Sequence, residues 1–282
     1  MSHDPRLVNR ASWDERAPAH AASSDYGFER FASDPSYLSE VVTFDLPRLG
    51  AVAGLRGVHL QCHIGTDTIS LARLGARMSG LDFSPAALVE ARRLARIARA
   101  EVDFHEADVY LADQVLGRGR FDLVFTGIGA LCWLPDIRRW AEVVAALLRP
   151  GGTLFLREGH PMLFTLAEVG PDGRLVVEDP YFERVEPTTV VQRGTYVETR
   201  TEFSQNVTYQ WNHALGEVVT ALLDRGMEIT ALHEHDSIPW EALPGQMERI
   251  ELGEWRLRER PFRLPLTYTL KAVKRGKTLA TG

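Results

Sequence analysis

The chain of 282 residues predicts an α/β fold: a doubly wound, mostly parallel seven-stranded sheet with an N-terminal helical lid and an antiparallel cap insertion. Three observations predict it. Short apolar runs alternate with amphipathic helices from Gly57 to Gly159. The alternation breaks at His160 into strand-like pieces separated by Gly and Pro. It resumes after Asn212.

The elements follow in order. Leu38, Val41, Val42 and Leu46 recur at helical spacing, so a helix over 37–49 precedes the first strand, with Pro47 fraying its last turn. Gly57 opens the strand GVHLQC, and Thr66 or Asp67 is placed to cap the helix DTISLARLGA, which Gly75 closes. RMSGLDFS is a strand ending at Asp82. Ser84 then serves as N-cap and Pro85 as first residue of the helix PAALVEARRLARIARA. VDFHEADVY gives a third strand ending near Asp108, and FDLVFTGIG a fourth. DIRRWAEVVAALL is a helix stopped by R-P-G-G, and TLFLREG a fifth strand. RLVVE and TTVVQRGTYVETRTEFSQ supply the insertion; HALGEVVTALLDRG, MEITALHEH and FRLPLTYTLKAV complete the sheet with one helix and two strands. The expected division is a lid at 1–48, a ligand-binding core at 49–159, the cap at 160–211, the rest of the core sheet at 212–275 and a tail at 276–282.

Composition narrows the function classes. No apolar run approaches the roughly 20 residues of a membrane span, and the start MSHDPRLVNRASWDER is too charged for a secretory signal, so a cytoplasmic protein without a membrane partner is expected. Cys62 and Cys132 cannot frame a disulfide scaffold and read as small buried hydrophobes. A formal charge of −6 argues against nucleic acid as partner, and Arg92, Arg93, Arg96 and Arg99 read as a solvated helix face. A small-molecule substrate is the expected partner, with the oligomeric state open and a homodimer included. His59, Cys62 and His63 are competent zinc ligands at close spacing. Neighbours on a strand point to opposite faces, however, and no fourth ligand lies at a usual distance; no metal is expected there or at His233–Asp236.

In a doubly wound sheet a ligand sits beyond the carboxyl ends of the strands. Gly65 lies in the first such turn, where a missing side chain admits a ligand to the backbone, and Asp82 follows where a carboxylate can accept both hydroxyl protons of a ribose. Asp108 is placed for a further donor such as an adenine amine. A pyrophosphate would need G-x-G-x-x-G, whereas QCHIGTD offers one glycine with Asp67 behind it. The pocket therefore suits a nucleoside with a cationic, phosphate-free tail.

At these residues the chain resembles the class I S-adenosylmethionine-dependent methyltransferases, closely from His59 to Glu158 and more loosely from Asn212 to Val273. Asp82 and Asp108 match the family's two acids, Gly65 its third turn glycine, Thr126 and Gly127 the segment after strand four, and LLRPGGTLFL its entry to strand five. His59 stands where the family has an acid, and Gln61 and His63 replace the first two glycines, so any positive φ there must tolerate a side chain. This turn, L-Q-C-H-x-G, is similar to that of a variant subgroup. The resemblance implies S-adenosylmethionine as cofactor, S-adenosylhomocysteine as product, and cofactor contacts from Gln61, His63, Gly65, Asp82, Phe83, Asp108, Val109, Thr126, Gly127 and Tyr26.

Methyl transfer from a sulfonium is an in-line displacement with a neutral leaving group, so the protein mainly orients reactants and excludes water, and a base serves only a nucleophile that must lose a proton. The ring-bearing residues of the lid (Trp13, His20, Tyr26) and cap (Tyr181, Phe182, Tyr196, Phe203, Tyr209, Trp211) favour a flat, apolar acceptor, with Trp13, Trp133, Tyr181 and Trp211 as expected substrate contacts. His160, His213 and Tyr209 are the expected catalytic residues for proton removal. TGIGAL stands where base methyltransferases of nucleic acid carry N-P-P-Y. The chain is also similar to actinomycete enzymes that methylate indole carbon three and trigger pyrroloindole closure; O- or N-methylation of another small metabolite and a non-catalytic nucleoside-binding regulator are the alternatives.

Overall fold

The computed structural model describes residues 4–167 and 173–276, so the expected tail lies, from residue 277 on, outside the described residues. Three helices come first: α1 (Pro5–Ala22), α2 (Phe28–Ser33) and α3 (Glu40–Leu49). Asp4 caps α1 by accepting from the Arg6 N–H, and Ser39 caps α3 by accepting from Val42, three residues later than the expected start. The wound core follows as β1 (Arg56–Leu60), α4 (Thr66–Arg73), β2 (Arg77–Asp82), α5 (Pro85–Ala98), β3 (Asp103–Glu106), α6 (Ala112–Leu116), β4 (Phe121–Thr126), α7 (Ile137–Leu147) and β5 (Leu148–Gly159). Ser84 and Pro85 start α5 as expected, the Ser84 hydroxyl accepting from Ala87. Helix α4 has no side-chain cap: Gly65, with φ +82°, occupies the N-cap in place of Thr66 or Asp67.

The chain continues through the hairpin β6 (Thr188–Val191) and β7 (Val207–Gln210), α8 (Leu215–Leu223), β8 (Met227–His235), three short strands β9 (Ser237–Ile238), β10 (Met247–Arg249) and β11 (Trp255–Leu257), and β12 (Thr267–Lys274). The main sheet has seven strands in the order β3-β2-β1-β4-β5-β12-β8. Only β12 runs antiparallel, pairing with β5 on one side and β8 on the other. This is a doubly wound, Rossmann-like fold, with every strand-to-helix turn of the parallel half on one edge.

Two departures from the expected pattern concern decoration. The cap ladder is short: RLVVE makes one isolated bridge, Leu166 to Val177, and the chain between β6 and β7 is held by α1 rather than by strand pairing. A second insertion between β8 and β12 forms the sheet β10-β11-β9 over its own core of Leu163, Ile238, Leu243, Met247, Leu257 and Leu266. Its strands are two or three residues long, too short to show a period.

The main core lies between α7, α8 and one sheet face, with Trp140, Val144, Leu154, Leu156 and Leu270 fully buried. On the other face α3 and α4 cover Phe125 and Phe155. Among the described residues no helix is long and apolar enough to cross a membrane.

Candidate functional site

The turn after β1 is built in left-handed backbone: Gln61 has φ +55°, His63 +49° and Gly65 +82°. Two side-chain-bearing residues therefore occupy a conformation that costs each ~1–2 kcal/mol. Local bonds hold them there. Gln61 Nε2 donates to the Ala130 carbonyl at 2.8 Å, the His63 N–H donates to Asp82 Oδ2 at 2.8 Å, and His63 Nε2 meets His20 Nδ1 at 2.8 Å. A Cβ on Gly65 would lie 3.0 Å from the Ala91 Cβ and 3.1 Å from the Phe104 ring, so its bareness serves helix and strand packing beneath the turn.

Asp82 ends β2 buried, its Oδ2 accepting from His63 and its Oδ1 from the Ser84 N–H at 2.9 Å. Burial pushes its carboxyl up to about 6. Asp14 of α1 reaches the same tip, accepting from the Ser84 hydroxyl at 2.6 Å. Asp108 lies two residues beyond the end of β3. One oxygen caps the 109–111 turn through the Tyr110 N–H, and the other takes Arg6 Nη1 at 2.7 Å. A cavity of about 250 Å³ opens between these tips and α1, lined by Phe83, Ala107, Asp108, Arg6, Leu7 and Arg10; Val109 is buried beside it.

Thr126 is fully buried at the end of β4 with its hydroxyl unpartnered, as is Gln61 Oε1. A Cβ on Gly127 would come 3.3 Å from His59 Nε2 and 3.4 Å from Asp67 Oδ2. Burial holds His59 down at about 3, so a neutral imidazole bonded to the Thr68 hydroxyl stands where the family carries an acid. The Cys62 thiol is buried and pushed up by that burial; Cys132 is half-buried. Among the described residues no three metal-binding side chains gather.

Glu158 escaped the sequence reading, which took it only as a strand end. Its carboxylate accepts from the N–H groups of Gly129 at 2.6 Å, Ala130 at 2.8 Å, Leu131 at 2.7 Å and Gly159 at 2.7 Å. It thereby fixes the turn after β4, and burial raises its pKa. An acid one residue before the glycine that ends a buried strand was the available signal.

Above the turn α1 and the cap build an aromatic wall. Trp13 stands edge-on to Trp133 at 5.3 Å and to His63 at 5.0 Å. Tyr26 stacks on His20 at 5.7 Å, and its hydroxyl bonds that of Tyr196, whose ring lies 4.7 Å from His20 and 6.4 Å from Trp240. Tyr196 was expected among the cap aromatics; Trp240, from the second insertion, was not.

The other expected substrate and catalytic residues are outside that ring stack, although Trp211 and His213 bond the carbonyls of Cys132, Leu131 and Leu134 on either side of Trp133. His160 Nδ1 accepts from the Met162 N–H at 3.1 Å while Nε2 faces Glu234 Oε1 at 2.9 Å. His213 Nε2 donates to the carbonyls of Leu131 and Leu134, and Nδ1 meets Glu183 Oε2 at 2.7 Å. Each ring thus spends one nitrogen on fixed backbone hydrogen bonds and turns the other toward a carboxylate. Tyr209 contributes its backbone, exchanging two hydrogen bonds with the Asn9 amide of α1. Trp211 is buried with Nε1 on the Val185 carbonyl, and Tyr181 packs edge-on to Phe182.

Residues 58–154 match a family model described as a methyltransferase domain. A ubiquinone biosynthesis O-methyltransferase of Xanthomonas campestris pv. campestris (strain B100) is 34% identical over 126 residues, covering 43% of this chain and 51% of that protein. The chain spans about half the length of the curated relatives it matches. Among solved structures, an S-adenosylmethionine dependent methyltransferase from Mesorhizobium loti superposes with a TM-score of 0.59 at 23% identity, over 83% of this chain and 98% of that one. The magnesium protoporphyrin IX methyltransferase of Synechocystis PCC 6803, solved with bound SAH, gives 0.55 at 17% identity, over 97% and 100%.

Proposed function

We propose that this chain transfers a methyl group from S-adenosylmethionine to a small aromatic acceptor, a reading supported by the match of residues 58–154 to a methyltransferase domain and by the likeness of its fold to solved S-adenosylmethionine-dependent methyltransferases. The observation that carries the proposal is the His63 N–H donating to Asp82 Oδ2, which joins the strand tip beside the Phe83 and Asp108 cavity to the aromatic wall around His63.

The chain's own residues fit the cofactor. Asp82 retains lone pairs for ribose hydroxyls, and the orphaned Thr126 Oγ1 and Gln61 Oε1 mark buried polar atoms without partners at the neighbouring ends of β4 and β1. A cavity of about 250 Å³ suits the nucleoside end. Bound there, S-adenosylmethionine would supply a methyl on a sulfonium that departs as a neutral thioether. Gly65, Phe83, Val109, Gly127 and His63 would frame it, with Tyr26 in the wall above. Trp13, Trp133 and Tyr196 would hold the acceptor flat and exclude water.

The Xanthomonas relative, an O-methyltransferase by name, speaks for an oxygen acceptor. Carbon-three methylation of an indole with pyrroloindole closure remains the alternative suggested by the variant turn, and it draws no support from these relatives. Mass spectrometry of products after incubating protein, S-adenosylmethionine and a panel of phenols, amines and indoles tests the proposal and ranks the acceptors. Binding of S-adenosylhomocysteine with no methylated product from any of them would leave a nucleoside-binding regulator instead.

A further inference from the structure

A chain of polar atoms crosses the aromatic wall. His63 Nε2 lies 2.8 Å from His20 Nδ1, and His20 Nε2 lies 2.6 Å from Thr195 Oγ1. The members come from three separate segments: the turn after β1, helix α1, and the cap between β6 and β7. At the inner end, His63 Nδ1 has no hydrogen-bond partner among the described residues. At the outer end, Thr195 is partly exposed. Trp13, Tyr26 and Tyr196 pack around the two rings.

We propose that His63, His20 and Thr195 form a proton relay for a protic acceptor, one whose nucleophile is a hydroxyl oxygen or an amine nitrogen. The relay rests on the methyltransferase reading above. A neutral imidazole carries one N–H and one bare nitrogen, so two rings in line exist in two arrangements. With His20 donating to Thr195, His63 donates to His20 and presents a bare Nδ1. The acceptor's O–H or N–H proton bonds to that Nδ1; the Nε2 proton of His63 passes to His20 Nδ1; the Nε2 proton of His20 passes to Thr195, whose hydroxyl proton leaves to water. The electron pair freed on oxygen or nitrogen is the one that takes the methyl group. Every ring ends neutral with its tautomer exchanged.

Neutrality is the point of the arrangement. Burial holds His20 down at about 3 and His63 well below its ordinary value, so neither ring stores the proton as an imidazolium. A proton passed along in concert avoids that state. The same burial makes His63 a weak isolated base, which explains why a second ring stands behind it. His63 is thus the catalytic residue, and His20 and Thr195 are positioning residues that act through it.

Two measurements test this. In cofactor-free protein labelled with ¹⁵N-histidine, a through-hydrogen-bond N–N coupling should join His20 Nδ1 to His63 Nε2; its absence from a folded wild type overturns the relay. In the second, a series of phenols of falling acidity constant is methylated by wild type, H20Q and T195V. Turnover by H20Q should fall about 100-fold on phenols that are un-ionised at the assay pH and hardly at all on nitrophenols that are already ionised. T195V should show the same trend with a smaller loss. An equal loss across the series would mean a scaffold role and overturn the relay, as would wild-type transfer confined to aprotic carbon. Binding of S-adenosylhomocysteine, measured on each variant, separates these outcomes from failure of the methyltransferase reading itself, in which wild type neither binds it nor transfers methyl.

Discussion

The Arg6 guanidinium lies 2.7 Å from the Asp108 carboxylate, fastening the first turn of α1 to the strand tip expected to read the adenine. Both side chains are about one-third exposed, 36% and 30%, so the pair is worth under ~1 kcal/mol to the fold. Its weight falls on binding, since a ligand donor must compete with Arg6 for Asp108. R6A should tighten S-adenosylhomocysteine binding two- to fivefold by calorimetry, with the melting temperature moved by no more than about 2 °C. Weaker binding in R6A would make Arg6 a cofactor contact instead.

As the proposed ribose contact, Asp82 would give the cofactor affinity a pH dependence of definite sign. Its folded pKa of about 6 stands above the usual carboxylate value because burial favours the neutral form. For folding alone, the advantage of the neutral carboxyl is full below about pH 4 and is lost as pH rises through 6, ~3 kcal/mol at most. Ribose hydroxyls donate to the carboxylate and so prefer it ionised. Affinity for S-adenosylhomocysteine should therefore be constant above about pH 7 and weaken as pH falls below 6, with proton release seen by calorimetry in buffers of different ionisation enthalpy. D82A should bind at least 100-fold more weakly. Unchanged binding in D82A would remove Asp82 from the site.

The wound core was legible because each of its elements repeats one local rule: an apolar run, a turn, a cap such as Ser84 with Pro85, then an amphipathic helix. The lid's contact face was not. In α1 the buried residues are the polar Asn9, Ser12, Arg16 and His20 with only the small Ala17 and Ala21 beside them, and Asn9, Arg16 and His20 bond the backbone of Tyr209, the Gln205 carbonyl and the Thr195 hydroxyl of the cap. A search for apolar periodicity passes over such a face. Glu158 and His213 were hidden because their roles depend on backbone groups distant in sequence, and the carboxylate facing His160, Glu234, is distant as well. Gln61 and His63 could be located from the displaced glycines, yet only the fold reveals that both keep the glycine-like φ.

His213 ties three segments together, joining the carbonyls of Leu131 and Leu134 to Glu183 of the cap. H213A would leave the Leu134 carbonyl without its imidazole donor, at ~1–3 kcal/mol for a group left unsatisfied, while Glu183 keeps the Ile137 N–H and the Leu131 carbonyl keeps the Leu134 N–H. Urea unfolding should show the midpoint falling well below wild type, with activity per folded molecule reduced less than tenfold. A large loss of turnover at unchanged stability would instead return His213 to the chemistry.

Glu158 offers the sharpest test of how the site is held. Four backbone N–H groups converge on one carboxylate that is 3% exposed, an arrangement that compensates the cost of burying the charge. E158Q keeps the shape but turns an N–H₂ toward donors, so at least one backbone N–H loses its acceptor and another faces a like dipole. E158A leaves all four without a partner. The expected order of stability is wild type, then E158Q lower by ~2–3 kcal/mol, then E158A lower still, read from urea midpoints at constant m. Because the same turn carries the Ala130 carbonyl that holds Gln61 and the Gly129 carbonyl that holds Trp133, E158Q should also weaken S-adenosylhomocysteine binding while the protein remains folded. Stability lost without any change in binding would separate the turn after β4 from the cofactor cleft.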